Sequence, residues 1–182
     1  MTSAELTNAI FEIIQKEMEP MGFIPRQGAK RNVPTLIRNT PEALLLIWLF
    51  RDSRTRQNKL VVQPQIGVFS KILGADDNPK IVKTPLNCQW YNCHWVGYPT
   101  FNFGYPNKDY ILTSESEVAE TAFTFLDSVR RFGLPRLTKL STASGFLNYF
   151  QSEKRTSINA FKQQKQMNIL EGYLMLKSLN LQ

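Results

Sequence analysis

At 182 residues, with 42% hydrophobic and 20% charged residues, the chain fits one folded domain that buries roughly two thirds of its unfolded surface, which excludes mucin-like and disordered classes. No apolar run reaches membrane-spanning length, and the amphipathic "SAELTNAIFEIIQKEM" near Met1 is not a secretory signal, so a cytoplasmic protein with no membrane association is expected. The net charge of +7 lies wholly in residues 51–182, with seventeen basic against ten acidic groups, since residues 1–50 hold five of each.

Thr2 with Glu5 makes a capping box, and Leu6, Ile10, Ile13, Ile14 and Met18 recur at helical spacing until Pro20 and Gly22 stop the helix. The texture then changes to short segments: "TLIR" as a strand, "NTPE" as a turn, and "ALLLIWLF", Ala43 to Phe50, whose unbroken apolar run predicts a central strand. In "LVVQPQIGVF" Val62, Pro64, Ile66 and Val68 share one face and Gln63 and Gln65 the other. That alternation predicts a half-buried antiparallel strand in which Pro64 marks an edge or a bulge. Residues 70–87 hold Gly, Asp, Asn and Pro in the manner of a connection, a further strand is expected over Gln89 to Val96, and Pro99, Gly104 and Pro106 break the next stretch into a loop.

Ser114 with Glu117 forms a second capping box, and Val118, Ala122, Phe125, Leu126 and Val129 mark a buried stripe before "FGLP" ends that helix. Two more helices are expected, about 142–151 and about 158–179, with the polar "QSEKRTS" as the one joint before the last. The fold class is therefore α+β: a single domain over residues 1–182, with a mostly antiparallel sheet of four to six strands packed by helices and a helical extension over 151–182.

The opening helix ending in "EPMGFIPRQG", the strand with "QIGVF", the "CHWVGY" stretch, the helix after "SESE" and the later "FGLPRL" together resemble a bacterial family known only as domain of unknown function four-three-zero-four. The resemblance spans roughly Ala4 to Phe150, and its marks are Gly22, Phe23, Ile66, Gly67, Val96, Gly97 and Pro135. These residues serve backbone geometry: Gly22 as a helix cap, Gly67 and Gly97 as bulges or points of close approach. By analogy with some relatives, the resemblance implies a partner-binding or immunity-type protein, although this chain is basic where relatives tend to be acidic or neutral.

Residues 88–105, "CQWYNCHWVGYPTFNFGY", hold both cysteines, the one histidine and seven of the 21 aromatic rings of the chain. Structural zinc wants four sulfur or nitrogen donors, and only Cys88, Cys93 and His94 exist, with adjacent strand residues pointing to opposite faces. No metal, no cofactor and two reduced thiols are expected, and no Ser elbow, carboxylate pair or phosphate loop marks an enzyme. In an extended strand Trp90 and His94 would share one face, Tyr91 and Trp95 the other. The candidate binding residues are Trp90, His94, Trp95, Tyr98, Phe101, Phe103 and Tyr105, an aromatic platform or alternatively core. The densest basic run, Arg51 to Lys59, adds Arg51, Arg54 and Arg56 as groups suited to phosphates or an acidic partner, or else a solvated loop. The leading expectation is a non-enzymatic module that binds a protein partner, immunity-like or regulatory. A weak nucleic-acid binder is the alternative, an unrecognised hydrolase the third reading, and the C-terminal helix a candidate surface for homodimers.

Overall fold

The computed structural model describes residues 1–26, 33–56, 59–97, 109–152 and 160–179. Helix α1, Ser3–Met18, begins at the Thr2–Glu5 capping box and turns Leu6, Ile10, Ile14 and Met18 inward. A 3₁₀ turn, Glu19–Met21, comes next, and Gly22 closes it at φ 80°, a left-handed conformation that costs glycine little. Strands β1 (Ile24–Pro25), β2 (Thr35–Asn39), β3 (Ala43–Arg51) and β4 (Leu60–Ser70) then pair antiparallel with their chain neighbours. Two three-residue strands, β5 (Trp95–Gly97) and β6 (Tyr110–Leu112), both pair with the far side of β4. The sheet is antiparallel throughout the described residues, and the protein is an α+β domain.

The apolar run of β3 is buried on both faces because two layers cover it. Ala43, Leu45, Ile47 and Leu49 join the main core with α1 and the helices after Ser114, while Leu44, Leu46 and Trp48 join a smaller cluster with Phe69, Cys88, Ile81, Val82 and Leu86. Pro64 lies in neither an edge strand nor a bulge, since β4 pairs one-to-one with β3 straight through it. On the other side of β4, β6 pairs with residues 60–62 and β5 with residues 66–68. Pro64 therefore sits between the two short neighbours, the one stretch of β4 that can do without an N–H donor on that side.

Residues 70–87 are not a plain connection. Helix α2 (Lys71–Asp77) starts where the Ser70 hydroxyl accepts the Leu73 N–H, and α3 (Pro79–Lys83) starts on a proline suited to the first helical turn. Nor does "FGLP" end the long helix. Helix α4 (Val118–Ser128) continues through a π turn, Val129–Gly133, into α5 (Leu134–Leu140). A proline clashes with the carbonyl four residues before it, and widening the turn, with Leu134 N–H donating to Val129 O, accommodates Pro135 without a break.

Helices α6 (Ala143–Ser152) and α7 (Ala160–Leu179) close the main core, with α7 turning Met167 and Leu170 inward and leaving Met175, Leu176 and Leu179 exposed. No helix among the described residues is long and apolar enough to cross a membrane.

Glu42, in the β2–β3 turn, ties this helical layer to the sheet. Its Oε2 accepts the Ala143 N–H at 2.7 Å, and Thr142 Oγ1 accepts the Gly145 N–H, so two of the orphan donors at the start of α6 are met. Its Oε1 accepts from Lys177 Nζ at 2.7 Å and from the Tyr173 hydroxyl at 3.1 Å, both on α7. Burial pushes the Glu42 carboxyl up, but the bonds from Lys177, Ala143 and Tyr173 outweigh it and hold the group below its ordinary value. Glu42→Ala should cost about 1.5–3 kcal/mol, as loss of hydrogen bonds to a charged group does. Amide exchange should rise first across α7, and an unchanged α7 exchange rate would contradict the tether.

Candidate functional site

Cys88 to Val96 is not one extended strand. A 3₁₀ turn, Trp90–Asn92, occupies its middle, closed by Asn92 N–H donating to Gln89 O and by the Asn92 side chain accepting the Gln89 N–H, both at 2.9 Å. The alternation expected over these residues is therefore lost, and the faces assigned to Trp90, Tyr91, Cys93 and His94 by parity do not hold. Instead the turn folds Cys93 back toward Cys88. Both sulfurs lie against the Gln89 carbonyl, at 3.8 Å for Cys88 and 4.0 Å for Cys93, and both cysteines are free thiols.

His94 lies at the bend just before β5, donating its N–H to Val68 O at 2.9 Å. Its Nδ1 accepts the Ser70 N–H at 3.0 Å, which puts the ring proton on Nε2, 3.9 Å from Asp77 Oδ2. The ring also packs on Phe69, with centroids 4.9 Å apart. Burial drives its pKa down from 6.5 to about 4, against a weaker upward pull from Asp77. A neutral imidazole whose acceptor nitrogen is taken by the backbone joins the β4–α2 junction to β5.

Trp95 is core, 8% exposed, with its ring edge-on to Tyr149 at 6.5 Å and the Arg136 guanidinium 4.9 Å above it. Tyr91 and Val96 are exposed. The side chain of Trp90 lies outside the described residues, as do Tyr98, Phe101, Phe103 and Tyr105 in their entirety. What the sheet does fix is where that segment leaves and returns. Strands β5 and β6 run in the same direction along β4, so they are two pieces of one interrupted strand line, the first ending at Gly97 opposite Ile66 and the second beginning at Tyr110 opposite Val62.

The foot of this insertion is a network of paired charges. Arg54 bonds both oxygens of Asp52, at 2.7 and 3.1 Å, and also Asp109 Oδ2, while Gln63 Nε2 donates to Asp109 Oδ1 at 2.8 Å and to Asp52 Oδ2 at 3.2 Å. The basic run thus reaches Asp109 through Arg54, whose charge is matched by two carboxylates. Bonds from the Arg54 side chain and N–H hold the Asp52 carboxyl below its usual value, and the two carboxylates raise the Arg54 guanidinium. Arg51 bonds the Ser3 hydroxyl, and Arg56 donates to the carbonyls of Ser53 and Thr55. Beside Asp109, between β6 and α4, a recess of about 210 Å³ is lined by Glu117, Glu120 and Thr121 among others. These acidic residues give no joint signal in sequence, because Asp109 and Glu120 lie eleven positions apart and the capping role of Glu117 is a sufficient reading of it.

Among the described residues no three His, Cys, Asp or Glu side chains gather as metal ligands would. Comparison of the chain with family models, with curated proteins and with solved structures returned no match.

This geometry sets two expected outcomes. Between pH 6.5 and about 4 the unfolded chain takes up a proton that folded His94 refuses, so stability falls as pH falls through this window, by about 3 kcal/mol. Denaturant melts at about pH 7 and about pH 4.5 should show a smaller acid loss for His94→Asn, which keeps an acceptor but cannot titrate. At Gly67 an added Cβ would come within 2.9 Å of Cys93 Sγ and 3.0 Å of the Trp48 ring. Gly67→Ala should therefore destabilise by about 1–3 kcal/mol through overpacking, measured by the same melts.

Proposed function

We propose that the protein is a non-enzymatic binding module, acting in the cytosol, that recognises a protein partner through residues 98–109, in an immunity-like or regulatory role. The observation that carries this reading is the interrupted strand: β5 and β6 pair with β4 on either side of Pro64, the sequence that joins them holds two Phe and two Tyr, and its last residue, Asp109, is bonded by Arg54 and Gln63. Rigid scaffolds commonly present recognition segments in this manner, and aromatic rings are the usual anchors of protein interfaces.

The chemistry of the foot favours a protein over nucleic acid. Despite the net charge of +7, the recess beside Asp109 carries Glu117 and Glu120, which repel phosphate and suit a partner's lysine or arginine. Of the guanidiniums in the basic run, that of Arg54 is matched by the carboxylates of Asp52 and Asp109, while those of Arg51 and Arg56 bond only a hydroxyl and two carbonyls. Strong binding to nucleic acid needs cations free to displace counterions.

Phe101→Ala with Phe103→Ala should leave the melting temperature nearly unchanged and abolish cross-linked capture of a partner from the native cells. A loss of about 3–5 kcal/mol per ring would instead make these rings core and end the reading. Labelled single-stranded DNA, titrated at about 50 and about 200 mM salt, should bind weakly and salt-sensitively. Tight, salt-resistant binding would favour the nucleic-acid alternative.

A further inference from the structure

We infer that Cys88 and Cys93 form a thiol–disulfide site, a reduced pair that a small-molecule disulfide converts to an intramolecular Cys88–Cys93 bond. The chain offers no rival pairing, because these are its two cysteines. Four residues separate them, and the 3₁₀ turn Trp90–Asn92, locked by Asn92 to Gln89, reverses the chain so that both sulfurs rest on one carbonyl oxygen. The pair packs under the sheet with Trp48, Phe69 and Leu86, and the missing side chain at Gly67 leaves the room that Cys93 Sγ fills. Packing of ordinary apolar residues needs no such arrangement of two sulfurs on one acceptor.

Burial and the neighbouring Cys88 side chain push the Cys93 thiol well up, so in the closed state Cys93 keeps its proton at neutral pH. Reaction therefore proceeds through local opening of residues 88–94, a segment anchored to β4 by a strand of three residues and the His94 bonds. In the opened state the Cys93 thiolate attacks one sulfur of the reagent disulfide, giving a mixed disulfide and one released thiolate. The Cys88 thiolate then attacks the Cys93 sulfur and expels the second. Two protein thiols lose two protons and two electrons, and one reagent disulfide becomes two thiols. The product closes a ring over the turn that leads directly into His94 and β5, so oxidation pins the segment that opening releases.

Native full-length protein incubated with oxidised glutathione and followed by intact mass and thiol count tests this. The expected product has lost two hydrogens and both free thiols, and carries neither a glutathione adduct nor a cross-link between chains. Cys88→Ser and Cys93→Ser should each accumulate a mixed disulfide instead, because the resolving thiol is gone. A mixed disulfide that persists in the native wild type, or disulfide-linked dimers, would overturn the assignment. So would two thiols that stay untouched in the native protein while the same reagent oxidises them in urea. The wild-type mass decides the matter whether or not either serine variant folds, and it is independent of any partner bound through residues 98–109.

Discussion

The one-to-one pairing of β3 with β4, unbroken over nine residue pairs from Ala43–Ser70 to Arg51–Val62, is the constraint on which the rest of the molecule depends. Side chains in paired strands alternate between faces, so a fixed register commits every one of them at once. Leu45 with Val68 and Ile47 with Ile66 face the helices, and Leu44 with Phe69 and Trp48 with Gln65 face the opposite layer. Trp48 Nε1 donates to Gln65 Oε1 at 2.9 Å, which lets a half-buried glutamine sit opposite a buried indole without an unmet donor. A slip of one residue would send each row to the layer packed for the other and strand that bond.

Two polar groups hold the remaining pieces to this ladder, and they do so in opposite charge states. Glu42 is kept ionised by the Ala143 N–H of α6 and by the Lys177 ammonium and Tyr173 hydroxyl of α7, and His94 is kept neutral by burial and one backbone N–H. Each sits at the same end of the β3–β4 pair: Glu42 precedes Ala43, and its carbonyl accepts the Lys71 N–H, while His94 caps the end of β4 at Ser70. Attachment of the C-terminal helices and of β5 therefore converges on one end of the sheet, and the charged network of Asp52, Arg54 and Asp109 occupies the other. Along the chain the thiol pair precedes β5, and Asp109 of the charged network precedes β6.

Much of this is legible from residue order alone. The capping boxes at Thr2 and Ser114 and the apolar run at Ala43 mark α1, the helix after Ser114 and β3, because each rests on local chemistry that tertiary contacts reinforce. Where periodicity misleads, a side chain has made a local choice that periodicity does not register. Asn92 closes a turn on Gln89 amid residues whose aromatic content favours a strand, and Ser70 starts a helix in a stretch rich in loop formers. Pro135 reads as a stop because its cost in an ordinary helix is high, and the π turn before it removes that cost. The candidate site is least legible of all. The pairing of Arg54 with Asp109 spans 55 positions, and only the sheet register brings them together.

Pro64 has a consequence for how this chain tolerates change. A strand line held at both ends by three pairs each, with a residue between them that offers no donor to that side, has no register to lose when the inserted segment is altered. The penalty for lengthening such an insertion grows only logarithmically, about 0.6 kcal/mol per doubling. The sheet is thus a socket: the pairs that β4 makes with β5 and β6 on either side of Pro64 depend on no residue between Gly97 and Asp109, so the ladder can stay as it is when that stretch of sequence is changed.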